Sequence, residues 1–91
     1  MNGNSRDKTR TAGKVTFCKG EGAQRLFRVE PGIASDYALE QASMLMGCVR
    51  ELTFIGVMDN ESNSMWAAHY LSSMAKALVD DVEIGARDRG R

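Results

Sequence analysis

Two stretches, Ser35–Val57 and Ser64–Val82, repeat apolar residues at alternating spacings of three and four, the period of an amphipathic helix. At about 100° per residue, Ala38, Ala42, Leu45, Val49, Leu52 and Gly56 align as one seam. Leu39, Met46 and Val57 widen it on one side, and Tyr37, Met44, Cys48 and Ile55 on the other; Phe54 is an apolar misfit on the polar face. In the second stretch Ala67, Leu71, Met74 and Leu78 form the seam, flanked by Trp66, Tyr70 and Ala77 and by Ala68, Ala75 and Val79. Each apolar arc spans roughly 200°, against a stripe of about 100° or slightly more on an ordinary surface helix. Helices joined by a short loop pack antiparallel, and each then covers about one stripe of its neighbour. The surplus predicts a homodimer with a four-helix arrangement, in the twofold symmetry most common among oligomers. Leu39, Met44, Met46, Ile55, Trp66, Tyr70 and Met74 are the candidate residues of that dimer or partner interface.

A chain of 91 residues holds one domain and has little core of its own, so self-association fits its size as well. Cys18 and Cys48 match no metal or redox spacing and are expected to be free thiols in a reducing compartment. Met1-Asn2-Gly3-Asn4-Ser5 has no apolar h-region, and no run approaches the roughly 20 apolar residues of a membrane span. The expectation is a cytoplasmic protein.

Ahead of the helices, residues 14–18 and 26–29 have strand character, separated by the turn-rich Lys19–Arg25. Glu30-Pro31-Gly32 punctuates the chain, and Ser35 is the expected N-cap of the first helix. Residues 58–63 read as a polar loop, with Asn63 or Ser64 capping the second helix. Asp80, Asp81 and Glu83 are unfavourable near a helix C-terminus, which predicts fraying there. The expected fold is α+β, mainly α. A short N-terminal β-hairpin or strand precedes an antiparallel two-helix hairpin in a single domain at 14–85, between a disordered basic tail (1–13) and a flexible tail (86–91).

Zero net charge conceals an uneven distribution. Residues 1–28 sum to +5, residues 29–85 to −7 and residues 86–91 to +2. Arg6, Lys8, Arg10, Lys14 and Lys19 could therefore neutralise phosphates nonspecifically. A small nucleic-acid-associated regulator is the alternative to a protein-interaction module.

The sequence holds no credible catalytic constellation. His69, the only histidine, falls on the polar face with Ser72, Ser73 and Lys76, while Cys48 borders the core of the other helix, so they form no nucleophilic pair within a hairpin. Gly20-Glu21-Gly22 lacks the following helix of a phosphate loop and reads as a turn. A calcium loop starting at Asp59 would need Gly and Glu where Ser64 and Tyr70 stand. The methionines suit adaptable core filling or partner binding. No catalytic residue, cofactor or metal is expected.

The strings Leu26-Phe27-Arg28-Val29-Glu30-Pro31-Gly32, Ala38-Leu39-Glu40-Gln41-Ala42-Ser43, Trp66-Ala67-Ala68-His69-Tyr70-Leu71 and Met74-Ala75-Lys76-Ala77-Leu78 resemble domain-of-unknown-function family 3077, small pseudomonad proteins, from about Leu26 to Asp81. The resemblance implies a small bacterial cytoplasmic protein and carries over no activity or site. The expected function is that of a non-catalytic homodimeric interaction module.

Overall fold

The computed structural model describes residues 9–89. Strands β1 (Thr16–Lys19) and β2 (Arg25–Arg28) precede two long helices, α1 (Ser35–Asp59) and α2 (Ser62–Arg89). The strands are antiparallel, with Thr16 opposite Arg28, Phe17 opposite Phe27 and Lys19 opposite Arg25. Their connection is closed by the Gly20 amide donating to the Gln24 carbonyl (2.9 Å) and the Gln24 amide to the Glu21 carbonyl (3.0 Å). The Gly-Glu-Gly sequence is thus a hairpin turn. Within β1, Cys18 has φ 63°, a left-handed conformation that costs a non-glycine residue about 1–2 kcal/mol.

The helices are antiparallel partners and meet through small side chains. Ala38, Ala42 and Gly56 of α1 and Ala68, Ala75 and Ala77 of α2 are buried. A methyl group on Gly56 would come within 2.6 Å of the Met65 sulfur, so the absence of a side chain lets the helices close up at the loop end. β1 rests on α2, whereas β2 touches only β1.

Several boundaries differ from the sequence expectation. Ala34, not Ser35, is the N-cap of α1, and it makes no side-chain capping bond. Residue Arg10 bridges to Ala34, and the Ser35 amide donates to the Thr9 carbonyl (3.2 Å), so a neighbouring segment sets the start of the helix. The interhelix loop shrinks to Asn60 and Glu61. Asn60 takes the left-handed conformation (φ 54°) that ends α1, one that asparagine tolerates better than most residues. The Glu61 carboxylate then caps α2, accepting from the Ser64 amide (2.8 Å) and hydroxyl (2.7 Å). Those two bonds, hydroxyl first, hold its pKa below the ordinary value.

The second helix does not fray after Val82. It continues to Arg89, so residues 86–89 are helical rather than a flexible tail; residues 90–91 lie outside the described residues. Asp81 has become an interior position of the helix.

The assembled chain measures 50 × 35 × 15 Å, with a radius of gyration of 15.4 Å. A compact domain of this length would have about 12 Å. One helix with its side chains is about 10–12 Å across, so the fold is a single layer. Domains normally bury their apolar faces between two.

Candidate interaction site

The largest fully buried side chain is the carboxylate of Asp81. Its Oδ2 accepts from the Gly13 amide (2.7 Å), and its Oδ1 accepts from the amides of Lys14 and Val15 (both 2.8 Å). Burial alone would raise its pKa, but the backbone donors of residues 12–15 outweigh that and hold the carboxyl below its ordinary value. Successive amides lining a concavity are a natural anion cradle, and here the chain supplies its own anion. Gly13 makes the turn possible, with φ 75° and a hypothetical Cβ only 2.6 Å from Pro31.

The flanking residues complete a strap. Thr11 is buried; its hydroxyl donates to the Glu30 carbonyl (2.6 Å) and accepts from the Ile33 amide (3.0 Å). Arg10 presses its carbonyl onto Gly85 so closely that no Cβ could fit there. Residues 9–13 are therefore ordered, contrary to the expectation of a disordered tail, because buried backbone groups find partners on α2 and on residues 30–33. Residues 1–8 lie outside the described residues.

The strap takes up part of the basic segment. The Arg10 guanidinium donates to the Gly32 carbonyl (3.1 Å), and the Lys14 backbone is held by Asp81 while its side chain stays exposed. Lys19 is exposed at the end of β1 opposite Arg25. Arg6 and Lys8 fall outside the described residues.

The candidate interface residues separate onto two surfaces. Leu39 and Met46 line an open groove of about 850 Å³ with Phe17 and Val79, where Ser72 and Lys76 add polar groups. Lys76 is tied to Asp80 at 2.7 Å. Met44 and Ile55 lie on the opposite flank of α1, and Tyr70 and Met74 on the flank of α2 turned away from Ser72 and Lys76. Trp66 is 60% exposed and sits beside both His69 (centroids 5.8 Å) and Tyr70 (6.1 Å). All seven residues are exposed, as are Leu26, Phe27, Phe54, Val57 and Met58.

The last five were not among the sequence candidates. Phe54 did signal itself as a misfit on the polar face of α1. Leu26 and Phe27 did not, since alternation cannot reveal a strand exposed on both faces. Cys48 is also exposed rather than a core-edge residue, because alanine contacts hold α1 to α2 and leave its flank bare. It shares that flank with Met44, whereas His69 lines the groove. The two free thiols, Cys18 and Cys48, are unpaired with each other. Among the described residues no three His, Cys, Asp or Glu side chains converge as metal ligands.

A strapped helical hairpin carrying a β-ribbon and wide apolar surfaces defines a small α+β protein built on backbone capture. The chain matches the family "Protein of unknown function (DUF3077)" over residues 11–85 and belongs to it. That span begins at Thr11 and ends at Gly85, so it takes in most of the strap and its Asp81 anchor. No curated protein and no solved structure matches the chain. No helix among the described residues is long and apolar enough to cross a membrane.

Proposed function

We propose that this protein is a non-catalytic interaction module that works as a homodimer in the bacterial cytoplasm. The observation that carries the reading is the single-layer architecture, 15 Å thick, in which small residues form most of the core and large apolar side chains face outward. The flank bearing Met44, Ile55, Tyr70 and Met74 suits a second copy, since these four side chains carry no formal charge and include an aromatic anchor of the kind enriched at interfaces. A self-complementary twofold contact would supply the missing second layer. A specific interface commonly takes about 800 Å² from each partner, within the scale of the 50 × 35 Å broad face of the slab.

A non-catalytic role is supported by the placement of His69 and Cys48 on different surfaces, and by Asp81 having its carboxylate engaged by backbone amides. Sedimentation equilibrium at micromolar concentration tests the proposal. A dimer is expected for the native chain and a folded monomer for Met44→Asp. A native chain that sediments as a stable monomer overturns the homodimer.

A further inference from the structure

Every residue of β2 is exposed, and the outer edge of the strand has no neighbour in the two-stranded sheet. Leu26 is 59% exposed and Phe27 55%, although Phe27 stacks on Phe17 at 5.4 Å. The cations of the hairpin, Lys19, Arg25 and Arg28, form no ion pair among the described residues. Neither the helices nor the strap uses this surface. A two-stranded hairpin is itself marginal in stability, so a third strand would strengthen what is already formed.

We propose that the free edge of β2 accepts an extended segment of a partner protein whose side chains run acidic, apolar, apolar, acidic. The order follows from the strand. Arg25 and Phe27 point to one face of the ribbon and Leu26 and Arg28 to the other, because side chains alternate. Each face therefore offers one cation and one apolar group, and a complementary strand places an acid opposite each arginine and an apolar residue between. The pattern is symmetrical and reads the same in parallel or antiparallel addition. Backbone hydrogen bonds to the edge supply affinity, and the alternating side chains supply selection.

The chemistry separates this occupant from others. A second copy of β2 added antiparallel would set Arg25 against Arg28 of its neighbour at both ends, an unfavourable pairing. Nucleic acid would satisfy the cations but leave the strand's backbone donors and acceptors and its apolar side chains unmatched. The other edge is less suitable, since β1 rests on α2 and Cys18, at φ 63°, interrupts its extended run. The inference draws on the reading of this protein as an interaction module, but it holds for a monomer as well as a dimer.

The test uses the full chain and a short synthetic peptide with a Glu-Val-Leu-Glu core, followed by amide NMR and by hydrogen exchange. Expected are salt-weakened binding, shifts concentrated in residues 15–29 and slowed exchange in β2. The doubly substituted Arg25→Glu/Arg28→Glu protein, altered only at exposed positions, should bind about tenfold more weakly (about 1.4 kcal/mol) with an unchanged circular dichroism spectrum. A peptide with a Val-Glu-Glu-Leu core, equal in charge but wrong in order, should also bind more weakly. Equal binding of the two peptides, shifts confined to the groove, or no binding at millimolar peptide overturns the inference. So does saturation of the same cations by duplex DNA or anionic vesicles when the peptide has no effect. Sedimentation of the same samples keeps the two readings apart, because a dimer that ignores the peptide defeats only this one, and a monomer that binds it defeats only the homodimer.

Discussion

At one end of the helix pair, where α1 begins and α2 finishes, the chain folds back on itself and closes. Residues 9–15 lie over the helices, Thr11 is buried, and Asp81 is sealed beneath three backbone amides. At the other end, around Asn60 and Glu61, the helices meet solvent directly, with Val57, Met58, Met65 and Trp66 all exposed. The contrast reverses the usual assignment of polar outside and apolar inside. At the strap end a charge is buried because backbone donors converge on it. At the loop end apolar side chains stay outside because alanine and glycine bring the helices together and leave no space between them. Burial in this protein follows which groups find partners across the fold, and large apolar side chains are left on the surface.

The largest way to break this contrast is to remove the anion. Asp81→Ala leaves three part-buried amides without an acceptor, and a loss of about 3 kcal/mol is expected in denaturant unfolding, since each orphaned group costs about 1–3 kcal/mol when fully buried. Rapid proteolysis at Arg10 and Lys14 should accompany it. The same latch sets a pH dependence. A carboxyl whose pKa is lower folded than unfolded contributes stability that is complete above the unfolded value, about 3.9. That contribution is lost as pH falls through the lower folded value. Acid unfolding of the native chain should therefore steepen below about pH 4, and Asp81→Asn should flatten that limb. Resistance of either variant to these changes would show that the strap is held by other contacts.

Next in size is Gly85→Ala, which forces the Arg10 carbonyl off α2 and is expected to cost about 1–3 kcal/mol. Chemical shifts should move in residues 9–13 and not at the loop end. At that opposite end, Tyr70→Asp is expected to leave the unfolding of the monomer nearly unchanged while weakening self-association by about tenfold or more. Equal losses of folding stability from Tyr70→Asp and Asp81→Ala would erase the distinction between the two ends. The smallest effect is expected from Glu61→Ala, which frees the Ser64 amide and hydroxyl. Faster amide exchange confined to Ser62–Met65, with a barely altered melting temperature, would mark it as a local cap.

Much of the architecture was legible in the order of residues. The two helices, the antiparallel strands, the Gly20–Gln24 turn and the surplus of apolar helix surface all follow from local periodicity and turn chemistry. Helix ends were less legible. Three acids at Asp80, Asp81 and Glu83 signal a terminus when only the local dipole is considered, yet Asp81 takes its partners from residues 66–68 positions away in the chain. Glu61 likewise supplies a cap where Asn63 or Ser64 was the stronger local candidate. The candidate interface was legible as a set of residues but not as a surface, since angular position on one helix does not say which flank of the neighbour it joins.

The sequence by itself determined the periodicities, the punctuation at Pro31 and Gly32, and an apolar arc too wide for a lone helix pair, because these depend on spacings of a few residues. Only the tertiary structure decided that Gly13 and Gly85 are places of close approach, that residues 9–15 belong to the fold, and that Leu39 and Met46 share their surface with Ser72, Lys76 and Val79 of the other helix. Those outcomes depend on which distant backbone groups meet. A buried carboxylate is tolerable only where converging donors replace its water, and no pattern along the chain records that meeting.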